Sequence, residues 1–199
     1  MGKKRPIYFN IEKKNTTTLE IKKSKFISTL LPFNFFAEEL QLLKKEHSKA
    51  RHFVYAYRHL NEFDQVVENQ SDDGEPKGSS GPPTLSVLRG NKLINSAIIT
   101  VRYFGGIKLG VGGLVRAYGD SANLVIKESE LISFEKKISL SLFVDYTHSN
   151  KLFHTIESFK IKNLTKDFTS DGVDINLELN ESLYEDFYQQ IKDYCKIKA

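Results

Sequence analysis

The sequence predicts an α+β protein of two domains, 1–135 and 136–199. Three observations lead there. The first two-thirds mixes β-branched, strand-like runs with stretches whose apolar residues follow the helical period. The tail changes rhythm to strand, helix, strand, strand, helix. Charge composition also shifts near residue 136: residues 1–135 hold 20 Lys and Arg against 15 acids, and residues 136–199 hold 9 Lys against 10 acids. At 199 residues the chain is long enough for one large domain or two small ones.

Taken in order, TTTLEIKKSKFISTLLPF reads as two strands, or one bent strand, ending at Pro32. Asn34 is the expected N-cap of a helix over FFAEELQLLKKEHSKA. HFVYAYR at 52–58 alternates like a strand, and EFDQVVENQ adds a short one. SDDGEPKGSSGPP at 71–83 is the strongest loop signal in the chain. TLSVLRG offers one or two helical turns stopped by Gly90, and LINSAIITVRY at 93–103 reads as a buried strand. The next helix, after Gly113, is expected to run to about Glu135. In the tail, ISLSLFVDY, IKNLTKDF and VDINLEL are strands, and SNKLFHTIESF and SLYEDFYQQIKDYC are helices. That βαββα order suggests a ferredoxin-like unit.

The bulk properties point to a soluble, cytoplasmic chain. Apolar residues make up 40% of it, enough for a sizeable core. Its single Cys, at 195 in the predicted polar C-terminal helix, allows no intramolecular disulfide and is not expected to be a nucleophile. The N-terminal MGKKRPIYFNIEKK turns polar too early for a signal peptide, and no apolar stretch approaches a membrane span. The net charge of +4 is mild, but all six arginines lie at or before Arg116. Arginine suits bidentate phosphate contacts. Many of the lysines serve equally well as solvated surface.

Two loops carry the candidate chemistry. In YFGGIKLGVGG, residues 103–113, five of eleven residues are glycine. A strand feeds this run, which opens a helix whose first N–H groups lack intrahelical partners and sit at the positive end of its dipole. That is an anion site in waiting, formed by Gly105, Gly106, Gly110, Gly112 and Gly113, with Arg102, Lys108 and Arg116 as cations. The spacing fits neither a Walker A loop nor G-x-G-x-x-G. A tight strand-to-helix crossing explains the same glycines without a ligand. The second loop holds Asp72, Asp73 and Glu75. Three carboxylates around Gly74 could hold a hard cation or act as a base. They could equally cap a turn, and the turn is the better reading. His52 opens its strand as an ordinary half-buried residue or a proton shuttle. The other histidines are scattered, so no zinc site and no cofactor are expected.

SKF at 24–26 (with Lys25), HFVYAYR at 52–58 (with His52 and Tyr55), DDGEPKGSSGPP at 72–83 and VRYFGGIKLGVGGLVRAY at 101–118 together resemble the signature set of the YigZ/IMPACT family. The resemblance covers nearly the whole chain, and the two long motifs are specific. It implies an N-terminal βαβ domain of the kind shared by a ribosomal small-subunit protein and elongation factor G domain IV. It implies a ferredoxin-like C-terminal domain similar to the last domain of elongation factor G. Eukaryotic IMPACT restrains a kinase of the translation machinery through an additional N-terminal domain. With SKF already at residue 24, that domain and that role are not expected here. Where the family loop commonly carries Thr-Ala, this chain has Ser79-Ser80, and Pro82 precedes Pro83. Neither change removes a charged group.

Three functions follow. The first is an RNA- or ribosome-associated regulator of translation, with Arg102, Lys108 and Arg116 on phosphates and Tyr55, Tyr103 and Phe104 stacking on bases. It carries no DNA specificity and has no membrane partner. The second is an enzyme acting on a phosphorylated or nucleotide ligand, which requires the acidic and glycine-rich loops to converge. The third is a protein-interaction module. The first is preferred.

Overall fold

The computed structural model describes residues 8–198; the polar start of the chain, 1–7, on which part of the signal-peptide reading rests, lies outside them. The chain divides into two compact units between Phe134 and Glu135.

The first unit is built on a five-stranded sheet. In chain order its elements are β1 (Phe9–Asn10), β2 (Asn15–Ile21), β3 (Ser24–Pro32), α1 (Phe36–Glu46), β4 (His52–Leu60), β5 (Val66–Ser71), α2 (Gly81–Gly90), β6 (Ser96–Tyr103), α3 (Val111–Lys127) and β7 (Ile132–Ser133). The sheet order is β2-β3-β6-β4-β5, and every pairing is antiparallel. Because β3 and β4 both run antiparallel to the β6 between them, they are parallel to each other. The β3-α1-β4 segment is therefore a βαβ crossover spanning one strand.

Period-two alternation sorts the side chains. Leu30, Ala56 and Ile98 face α2 and α3, meeting Leu85, Leu88, Ala122 and Val125. On the same face Phe26 and Val54 meet Leu114, Ala117 and Tyr118. Leu31, Phe53, Ala97, Ile99 and Val101 point the other way and pack on Leu43 of α1. Both faces are covered, so β6 is buried along its whole length except at Tyr103 and reads as a nearly continuous apolar run. Ser28 Oγ lies 2.7 Å from both Thr100 Oγ1 and Ser121 Oγ, which satisfies three buried hydroxyls.

The second unit runs β8 (Lys137–Asp145), α4 (Tyr146–Ser158), β9 (Leu164–Phe168), β10 (Gly172–Asn180), α5 (Tyr184–Ile191) and β11 (Cys195–Lys198). Its sheet order is β11-β8-β10-β9, again antiparallel throughout. Leu142, Val144, Val173, Ile175, Leu177, Leu152, Ile156 and Phe187 form its core.

Several boundaries differ from the sequence reading. Asn34 caps nothing: Phe33–Phe35 form a 3-10 turn and α1 starts behind Phe35 without a side-chain cap. Helix α2 starts earlier than expected, with prolines in its first turn, where the missing N–H costs nothing. Helix α3 stops at Lys127, because Ile132 and Ser133 pair with Asn10 and Phe9 instead. The C-terminal helix ends at Ile191, and Cys195 lies on strand β11 beside Val144 of β8. Burial pushes the Cys195 thiol up to about 11.

Candidate functional site

One end of the first unit's sheet collects the chemistry. Cross-strand register puts Arg102 opposite Phe26 on one side and His52 on the other, all on the α3 face. Beyond Tyr103 the chain passes through the glycine run into α3. Gly105 is pressed against the β2–β3 turn, where an added Cβ would lie 1.9 Å from the Lys23 carbonyl carbon. Its N–H donates to Ser24 Oγ over 3.1 Å. Gly110, just before α3, has φ 72° and ψ 165°, a conformation that essentially only glycine adopts. Helix α3 has no side-chain cap at its start. A Cβ on Gly112 would meet nothing, so the fold itself does not demand a glycine there.

The acidic turn separates its three carboxylates. Asp72 accepts from the N–H groups of Gly78, Ser80 and Gly81 at 2.8, 3.0 and 2.8 Å and from Ser80 Oγ at 2.7 Å. It thereby caps α2 from outside the helix. Burial raises its carboxyl, but these donors outweigh that and hold it below the usual range. Asp73 Oδ2 accepts from Phe53 N at 2.6 Å, and its carbonyl accepts from His52 Nδ1 at 2.9 Å. A carbonyl can only accept, so Nδ1 carries a proton and donates, and Nε2 is the ring nitrogen left for another partner. The three carboxylates therefore do not form a common ligand set. Among the described residues no group of three His, Cys, Asp or Glu could hold a metal.

Glu75 turns inward. Only 8% exposed, it receives Arg102 Nη1 at 2.6 Å and the Tyr118 hydroxyl at 2.8 Å, both on Oε1. Burial and then the Glu75 charge push the Tyr118 phenol strongly up, which keeps it a donor. Arg102 is 6% exposed, lies over the rings of Phe26 and Phe104, and has an Nε that is buried without a partner. Glu75 Oε2 accepts from no described residue.

Glu75, Arg102 and Phe104 line a cleft of about 680 Å³, with Tyr118 and Phe26 buried behind it. Its walls bring together Lys49, Arg51, Arg102 and Lys108 with His52, Glu75 and the α3 start at Gly110 and Val111. Phe104, 57% exposed, also lines it. The acidic and glycine-rich loops thus reach one cavity, through Glu75 on one side and Lys108 and Gly110 on the other.

Not every expected residue is there. Tyr103 lines the cleft, but its hydroxyl is held 3.0 Å from His47 Nδ1. Gly105, Gly106, Gly112 and Gly113 shape the run without lining the cavity. Arg116 is exposed on α3 and Lys25 on β3, both outside the lining. Tyr55 is outside the lining as well: it is packed edge-on to Phe36 and parallel to Tyr57 on the α1 face. The strand period assigns it to the face opposite His52. Lys49, Arg51 and Tyr118 were missed by sequence reasoning. The two cations stand just before HFVYAYR, where a basic pair flanking a strand was a signal. Tyr118 occupies a core-spaced helix position and gave none.

All the residues that build the cleft fall within residues 22–126, which match the family model described as the Impact N-terminal domain. The chain is 38% identical to an IMPACT family member of Haemophilus influenzae over 159 residues, covering 76% of this chain and 75% of that protein. It is 35% identical to IMPACT family member YvyE of Bacillus subtilis over 148 residues, or 73% and 67% of the two chains. A crystal structure of "an hypothetical protein" matches with a TM-score of 0.67 at 26% identity, covering 97% of each chain. Matching motifs and matching relatives over the cleft-forming segment make this chain a member of the IMPACT family.

Proposed function

We propose that this IMPACT family member is an RNA-binding protein of the translation machinery that uses the cleft to hold a backbone phosphate. The observation that carries this is the uncapped start of α3, which opens on a cavity walled by Lys49, Arg51, Arg102 and Lys108. Unpaired helix N–H groups and converging cations are the chemistry that binds a phosphate. The exposed ring of Phe104, with the Arg102 guanidinium over it, supplies a platform for a base. The β3-α1-β4 crossover fits a relationship to the ribosomal-protein and elongation factor G domain IV superfamily. The β8-α4-β9-β10-α5-β11 order fits a ferredoxin-like second domain. Both support a partner in translation and a cytoplasmic site of action.

The test is RNA and ribosome binding across a salt series. Lys108→Ala and Arg51→Ala should each weaken binding uniformly across sequences and reduce the salt slope by about one. Unchanged slopes in both variants sink the phosphate assignment.

A second reading, an enzyme acting on a phosphorylated ligand, is favoured by His52 on the wall of the same cleft, whose Nδ1 is held by the Asp73 carbonyl and whose Nε2 is left for a ligand. A screen of phosphorylated metabolites for turnover lost in His52→Gln tests it.

A further inference from the structure

We infer that the cleft reads a ribose 2′-hydroxyl through Glu75 Oε2, so that its occupant is one ribonucleotide unit of an RNA chain. This rests on the RNA reading above and adds what the site selects for.

The argument starts from an imbalance. Most of the cleft's polar wall is donor or cation: Lys49, Arg51, Arg102, Lys108 and the first N–H groups of α3. A phosphate satisfies those. Glu75 contributes the opposite chemistry in the same cavity. Its Oε1 is occupied by Arg102 and Tyr118, which fixes the carboxylate plane. Its Oε2 accepts from no described residue, on a side chain that lines the cleft and is more than nine-tenths buried. A carboxylate oxygen that no protein donor takes, on a residue lining the cleft, is an acceptor available to a donor from the ligand. An ionised carboxylate cannot donate, so it repels a second phosphate and selects a hydroxyl or amine beside the first.

The cavity of about 680 Å³ suits a ligand of nucleotide size. A ribonucleotide offers what these walls lack: phosphate oxygens for the cations, a base for Phe104, and a 2′-hydroxyl donor for Oε2. That hydroxyl is also what distinguishes RNA from DNA. Carboxylate recognition of a ribose hydroxyl beside a helix N-terminus that holds phosphate is sound chemistry on other scaffolds.

The experiment measures binding of a ten-nucleotide RNA, its DNA counterpart and its 2′-fluoro counterpart, which keeps the ribose pucker but cannot donate. A ribonucleoside 5′-monophosphate and its 2′-deoxy form are added to separate a chain from a free nucleotide. The full-length protein should prefer RNA over both substituted chains by about tenfold, the worth of a hydrogen bond to a charged group. In Glu75→Gln the amide oxygen still accepts from Arg102 and Tyr118, and the NH2 turns to the cleft. An acceptor becomes a donor, so the preference for RNA over 2′-fluoro RNA should vanish. Equal affinity for RNA and 2′-fluoro RNA in the unmutated protein overturns the inference and leaves the phosphate reading standing. A preference that survives in Glu75→Gln also overturns it. A ribose preference confined to the free monophosphate overturns the RNA chain as occupant. Absence of binding to every nucleic acid removes the RNA reading itself. The comparison of ligands on the unmutated protein needs no variant to fold.

Discussion

Gly105 and Gly112 belong to one run but answer to different constraints. A methyl group on Gly105 would collide with the Lys23 backbone, which cannot swing away as a side-chain tip can. Gly105→Ala should therefore cost about 3 kcal/mol, at the upper end for an overpacked site, and lower the urea midpoint without changing the slope. Gly112 meets no atom and sits in the first turn of α3. Gly112→Ala should raise stability by about 0.5–1 kcal/mol, since alanine gives up less backbone entropy in a helix. If the phosphate sits on these N–H groups, the same methyl narrows its approach, and RNA affinity should fall in the sample whose melting temperature has risen. Tyr118→Phe removes one of the two donors on Glu75 Oε1 and leaves a buried carboxylate less satisfied. It should destabilise by about 1–3 kcal/mol in chemical denaturation.

At the scale of the element, the acidic turn works as a cap. Asp72 gathers three backbone N–H groups and a hydroxyl, and so fixes where α2 begins. Its folded carboxyl is held below the ordinary 3.8. The stability it contributes is therefore fully present above pH 3.8 and lost as pH falls through the lowered folded value. Asp72→Asn should cost about 1–2 kcal/mol at neutral pH and flatten the acid limb of a pH–stability curve below that value. The loop nature of SDDGEPKGSSGPP was plain from its composition. The division of labour among its carboxylates was not. Asp73 reaches back to the N–H of Phe53 and Glu75 reaches Arg102, and both contacts join segments far apart in the chain. Element types were legible wherever a period ran uninterrupted, as in HFVYAYR and the helix after Gly113. Ends were not legible where a distant strand competes. Ile132 continues the helical period but pairs with Asn10, and Cys195 leaves the helix for a place beside Val144.

At the scale of the whole molecule, the two units have separate cores. Leu30, Leu88, Ile98 and Val125 belong to the first, and Leu142, Val173, Leu152 and Phe187 to the second. Fragments cut between Phe134 and Glu135 should each melt cooperatively, the smaller at the lower temperature because it buries less of its surface. A fragment without a sigmoidal transition would mean that one unit needs the other to fold.

The sequence alone determined the mixed α and β composition, most of the strands and helices, the change of rhythm near residue 135, and the two motifs that mark the family. These are local properties: a period of 2 or 3.6 residues, a turn residue at its place, a glycine cluster between strand and helix. Tertiary structure alone decided that Lys49, Arg51, Glu75, Arg102 and Lys108 share one cleft while Tyr55, Arg116 and Lys25 stay outside it. Membership depends on which strand lies beside which, and on the register that sets His52 opposite Arg102. Register is fixed by burying two apolar faces at once over a β3-β6-β4 ladder whose strands are separated by whole helices. No local pattern carries that information.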